Sequence, residues 1–165
     1  MNLIFRMLWV FLVSLNRKRL PVGACESHLR MITLPNDLDI NLHMTNGRYL
    51  TIADLSRIDV FLRTGLLKVM IKEKWSPVVT EHTMNYKHSL KLFARFDLIM
   101  QLTHWDNRSF YMSHQFIVNE RIVAHGTSLG VIRSRDGIVP PETVLARVRE
   151  DRGLSWNVCK TNIAT

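Results

Sequence analysis

A period-two pattern running from Trp75 to Arg133 limits what this chain can fold into. Four strand candidates lie within it, at 78–86, 93–105, 109–118 and 121–133. Asp106-Asn107-Arg108 and Asn119-Glu120 supply the two short turns between the last three, so these run antiparallel. Ahead of the strands stands one long apolar helix, about 47–64. Its Tyr49, Ile52, Ala53, Leu55, Ile58, Phe61 and Leu62 form a broad apolar face. A lone long helix must bury that face on something, and a curved antiparallel sheet provides the surface. The fold class is therefore α+β. Apolar residues on both faces of 110–118 and 121–131 predict a helix on one side and a second subunit on the other.

The remaining elements fit around this frame. Residues 27–34 read as a strand that Pro35 ends. Asp59 and Arg63 form an i,i+4 pair on the long helix, and Gly65 sits where its C-terminal cap belongs. A short helix is predicted at 66–74, and another begins at Pro140-Pro141-Glu142. At 165 residues the chain is long enough for one cored domain, assigned to 25–152. Residues 1–24 precede it as an apolar and basic segment, and 153–165 follow as a tail.

The formal charge is +8, and half of it lies in the first 36 residues: Arg6, Arg17, Lys18, Arg19 and Arg30 against Glu26. No basic stripe interleaved with aromatics accompanies it, so no nucleic-acid role is assigned. The apolar run 7–13 is shorter than the roughly 20 residues that span a bilayer. Its basic cluster follows rather than precedes it, which keeps the downstream chain cytoplasmic. Two readings stand for residues 1–20: a helix on the inner membrane face, or a helix packed on its own domain or on a second subunit. Cys25 and Cys159 are far apart and lack metal-type spacing, which favours reduced thiols in a cytoplasmic protein.

The chemistry-bearing stretch is 37–49, with the pattern D-x-D-x-N-x-H-x-x-N-x-x-Y. It delivers a polar loop to the start of the long helix, with Thr45 or Asn46 as N-cap. Free N–H groups and the positive dipole end there suit an oxyanion. Asx-rich loops before helices also serve as plain turns, and Asp39, Asn41, His43 and Asn46 admit that reading too.

The segment LPNDLDINLHMTNGRYLTIADLSRIDVFLRTGLL, with LTHWDNRSFYMSHQFI and VPPE further on, resembles the hotdog-fold thioesterases. The nearest branch is the bacterial relatives of thioesterase superfamily member six, followed by the plant-type acyl-carrier-protein enzymes. The resemblance covers about 26–149. It implies a five- or six-stranded antiparallel sheet wrapped around the helix, and a homodimer or higher oligomer with its site near the subunit interface. The implied reaction is hydrolysis of acyl-CoA or acyl-carrier-protein thioesters, with no metal or redox cofactor. Asp39 matches the catalytic aspartate of the 4-hydroxybenzoyl-CoA thioesterase branch, ten residues before Tyr49. Asn41 and His43 match the plant enzymes' D-x-N-x-H. Those enzymes place a glutamate after a Tyr-basic-basic run; here Tyr86-Lys87-His88 is followed by Ser89, which departs from their mechanism.

On these residues Asp39 is the expected general base. Asn41 positions water or donates to the oxyanion, and His43 orients Asp39 or protonates the leaving thiolate. Asn46, Gly47, Arg48 and Tyr49 form the expected substrate-binding set, with Gly47 allowing close backbone approach. Asp54 is expected to pair with Arg57, and the histidines other than His43 are read as strand or surface residues. Two other functions compete: a non-catalytic acyl- or partner-binding protein, and an enoyl-CoA hydratase or dehydratase.

Overall fold

The computed structural model describes residues 2–154. Its elements are α1 (Asn2–Leu15), β1 (Glu26–Ile32), a 3₁₀ turn (Pro35–Asp37), α2 (Asn46–Thr64), α3 (Leu66–Glu73), β2 (Ser76–Tyr86), β3 (Arg95–Trp105), β4 (Phe110–Val118), β5 (Arg121–Ser134), β6 (Gly137–Val139) and α4 (Pro141–Asp151). The sheet has six strands, antiparallel throughout, in the order β1-β3-β4-β5-β2, with β6 also on β5. This is the hotdog arrangement, α+β, with α2 inside the curl of the sheet. β6 is the one strand the alternation does not announce, because three residues are too few to show a period. The expected tail falls, from residue 155 on, outside the described residues.

Alternation places the core. On β3 every second residue (Phe96, Leu98, Met100, Leu102) is buried. The α2 side chains Tyr49, Ile52 and Leu55 meet Leu29, Leu98 and Phe116 from the sheet. Fully burying each such side chain is worth about 2 kcal/mol. α2 stops at Gly65, whose φ of 87° is the left-handed conformation a glycine adopts freely; its N–H caps Leu62 O.

The N-terminal helix packs on the domain through polar contacts. Arg6 donates to Asp37 at 2.7 Å and to Ile32 O at 2.6 Å, and the Ser14 hydroxyl donates to Asp59 at 2.6 Å. Between them Val10 is fully buried. Asp59 also accepts from Ser27 at 2.7 Å and pairs with Arg63 at 3.0 Å, as the helical spacing predicts. Of the two readings for residues 1–20, packing on its own domain accounts for this inner face. Among the described residues no helix is long and apolar enough to cross a membrane.

β2 contrasts with the other strands. Nine of its eleven residues are exposed, and it forms a free edge of the sheet.

Candidate active site

Two aspartates two positions apart meet opposite fates. Asp37 is buried, its Oδ2 accepting from Arg6 and from Leu34 N–H at 2.8 Å, while Arg48 Nε lies 3.0 Å from Oδ1. Asp39 is exposed. Its Oδ1 accepts the N–H groups of Asn41 at 2.8 Å and His43 at 3.3 Å, and its backbone closes the loop in both directions: Asp39 N–H donates to His43 O at 2.9 Å, and Leu42 N–H to Asp39 O at 3.1 Å. This cinched turn forces Leu42 to a φ of 60°, a conformation that costs a branched side chain energy. Asp39 therefore holds its own loop with one oxygen and has no hydrogen-bond partner for the other among the described residues. The side chains of Asn41 and His43 make no hydrogen bonds among those residues either.

The loop is stitched onto the domain by Met44 N–H to Leu90 O and Thr45 N–H to Asp37 O, both 2.9 Å. Thr45 is the N-cap of α2 in extended conformation, but its side chain makes no capping hydrogen bond. Arg48 N–H donates to Thr45 O at 2.9 Å, so it is not among the free donors expected there. The N–H groups of Asn46 and Gly47 find no backbone acceptor among the described residues, and they are the pair left to face an oxyanion. A Cβ built on Gly47 meets nothing within 4 Å, so the space over this end of α2 is open.

The other two members of the expected binding set are held by the protein itself. The Arg48 guanidinium is committed to Asp37 and to Asn36 O at 2.9 Å. Tyr49 is 2% exposed, edge-on to Tyr86 and Phe116, and its hydroxyl accepts Leu90 N–H at 3.2 Å. Both act on the loop's position, as their burial in the fold dictates. Asp39, Asn41 and His43 line neither the cavity under β2 nor the grooves beside α1 and between α3 and α4.

A second polar centre lies further along α2. Asp54 pairs with Arg57 as predicted, and Arg57 Nη2 donates to Ser128 at 3.1 Å. Across the sheet His114 Nε2 lies 3.3 Å from His82 Nε2. His114 is a strand residue, as expected, and is fully buried on β4. It reaches His82 because Gly126 leaves room: a Cβ there would stand 2.7 Å from His114 Nε2 and 2.0 Å from Thr83 O. Burial first, then the facing His82 and Arg57, push the His114 imidazole down to about 4. Burial and Arg57 also lower His82. Both rings are neutral at pH 7, and one donates to the other. Arg57 and Ser128 form the polar wall of a cavity of about 70 Å³, whose remaining lining includes Val60, Phe61, Val79, Met112 and Val144. Sequence reasoning gave the Asp54–Arg57 pair but missed the histidine pair; Gly126, isolated inside a strand pattern, was its one visible sign. Cys25 is no nucleophile, since burial pushes its thiol up to about 11.

The fold and loop define a hotdog domain with a carboxylate beside the start of its central helix. Residues 33–148 match the family model described as the thioesterase-like superfamily, and the chain belongs to that family. It is 40% identical over 86 residues to the Xenopus laevis protein THEM6, covering 52% of this chain and 42% of that one. The chain thus spans about half the length of the curated relatives it matches. Among solved structures it resembles the probable thioesterase YbaW from Escherichia coli, with a TM-score of 0.68 and 19% identity over 76% of this chain and 96% of that one. It also resembles the BH1999 gentisyl-coenzyme A thioesterase, with a TM-score of 0.65 and 19% identity over 73% and 98%.

Proposed function

We propose that this protein hydrolyses acyl thioesters carried by coenzyme A or by an acyl-carrier protein. What carries the reading is one loop holding an exposed carboxylate, Asp39, gripped through one oxygen by two amides, and leading into two unclaimed N–H groups, Asn46 and Gly47, at the start of α2. Asp39 takes a proton from water as the water oxygen bonds to the thioester carbonyl carbon. The carbonyl oxygen gains negative charge against the Asn46 and Gly47 amides. When the C–S bond breaks, the thiolate leaves and takes up a proton from Asp39 or His43, giving a free acid and a free thiol. Asn41 orients the water.

A second copy completes the site in this proposal. β2 is exposed along its length, and its Tyr86 hydroxyl donates to Asn46 O at 3.3 Å, so the free edge ends beside the start of α2. Ile40, 96% exposed, and Leu42 flank Asp39 in open water. A partner paired along β2 would cover them and wall the site. The 70 Å³ cavity beneath β2 suits the far end of the acyl group. The proposed setting is the cytoplasm, with peripheral membrane contact through α1.

Purified protein is to be assayed on an acyl-CoA panel by release of free thiol, beside Asp39→Asn. Removing a general base costs about 10²–10⁴ in rate. Turnover by the wild type and a loss of that size in the variant are expected. Full kcat in Asp39→Asn would remove Asp39 from its role. The alternative of a non-catalytic acyl binder draws on the fact that Asp39 also serves as its own loop's cap. Tight acyl-CoA binding with no thiol release would favour it, and hydration of an enoyl-CoA would favour the hydratase.

A further inference from the structure

Helix α1 is built inside out. A helix on the surface of a water-soluble domain turns its apolar side inward and its polar side to solvent. Here the inward stripe is Arg6, Val10 and Ser14, fixed to Asp37 and Asp59. The outward stripe is Ile4, Phe5, Leu8, Phe11, Leu12 and Leu15, each between 39% and 65% exposed. Arg6 and Ser14 are thus spent on holding the helix down, and the six large apolar side chains of this stripe face away from the protein. Scattered exposed apolar residues need no explanation; a contiguous stripe along one helix does.

The surroundings are cationic. Lys18 and Arg19, both exposed, follow the end of the helix. Beside its middle, Trp9 of α1 shares a groove of about 790 Å³ with Phe96, Ile117, Arg30 and Arg95. Arg30 and Arg95 are exposed at this groove with Arg6 beside them, against the acids Asp97, 3.4 Å from Arg30, and Glu120. No acidic residue occurs in the sequence before Glu26.

We infer that the outer face of α1 is a docking surface for an anionic phospholipid bilayer. The fourteen-residue helix is about 21 Å long, too short for the roughly 30 Å hydrocarbon core. It lies along the interface, with the apolar stripe in the acyl boundary and the basic groups on headgroup phosphates. A second copy of the same face would bring the same cations and no carboxylate from its own first 25 residues. An anionic membrane supplies the missing charge. The inference rests on how α1 is packed and stands apart from the thioesterase reading. If both hold, the enzyme sits where long-chain acyl thioesters partition.

The test uses the full chain and cosedimentation with phosphatidylcholine vesicles, with and without phosphatidylglycerol. Wild-type protein sediments with the anionic vesicles, and less as salt rises. Lys18→Gln/Arg19→Gln weakens that binding by about tenfold or more, at roughly a kcal/mol per basic residue, and flattens its salt dependence. Phe5→Ser/Leu8→Ser/Leu12→Ser abolishes it on both vesicle types, with a small change in melting temperature because these side chains are more than half exposed. Wild-type protein that stays in the supernatant, or a triple-serine variant that binds as the wild type does, overturns the proposal. So does a drop in solution oligomer size in the triple-serine variant, which would make a second copy the occupant. The charge-pair variant keeps the test decisive should the triple variant fold poorly.

Discussion

Asp37 and Asp39 are the same residue type in the same loop, yet they do opposite work. Asp37 is out of water with two guanidiniums and an amide on its oxygens. Asp39 is in water, with one oxygen tied to its own turn and the other open. Asp37 joins three elements, α1, the loop and the start of α2, and its burial keeps it from any substrate. Asp39 joins nothing beyond its own turn, and its free oxygen is what a general base needs. The difference comes from what the chain brings to each position: an arginine from α1 and another from α2 for one, only local amides for the other. The same division recurs on α2, where Asp59 is closed in by Ser14, Ser27 and Arg63 while the carboxylate of Asp54 remains half in solvent.

The largest effect should come from breaking the buried member. Asp37→Ala strands Arg6 and Arg48 without their counter-ion. Removing one partner of a buried pair costs about 3–5 kcal/mol, so the melting temperature of a chain this size should fall by roughly 10 °C. The same variant should release α1, seen as faster amide exchange along Arg6–Ser14. Asp39→Asn should do the reverse, lowering the rate of thiol release by about 10²–10⁴-fold while changing the unfolding free energy by less than about 1 kcal/mol. If the two variants lose stability equally, the division between them fails, and Asp39 is only a turn residue.

Acid separates the regions in another way. Folded His114 sits at about 4, below the ordinary histidine value near 6.5. The unfolded chain therefore takes up this proton first as pH falls. The stability tied to neutral His114 is complete above about 6.5, drains between 6.5 and 4, and is gone below 4, for a total of about 3 kcal/mol. Denaturant titrations at a series of pH values should show this slope, and His114→Phe should flatten it. Asp39→Asn should leave it unchanged, since the loop and the histidine pair lie at different points along α2.

How much of this was legible in the sequence follows from the reach of each interaction. The α2 boundaries, its Gly65 cap and the Asp59–Arg63 pair are local and could be read directly. Asp39 is a candidate because of a motif spanning thirteen residues, all of them local. The partners that decide Asp37 and Asp59 come from α1, 31 and 45 positions away, and only tertiary packing brings them in. Arg6 counts in the sequence only as one more basic residue beside an apolar run; in the fold it anchors α1 to Asp37. The His82–His114 contact needs β2 and β4 to lie on either side of β5 with Gly126 between them, a consequence of strand order that no local pattern carries.

The smallest effect is also the sharpest test of the helix end. A Cβ at Gly47 stands in open space, so Gly47→Ala meets no clash and gains helix propensity. Stability should rise by a few tenths of a kcal/mol, up to about 1 kcal/mol. If a thioester carbonyl approaches the Asn46 and Gly47 amides, the added methyl stands in its path, and kcat/KM should fall while the melting temperature climbs. Opposite signs in one variant cannot come from damage to the fold. Equal activity with raised stability would mean that the substrate does not use this end of α2, and Asp39 would then need a different electrophile-binding partner.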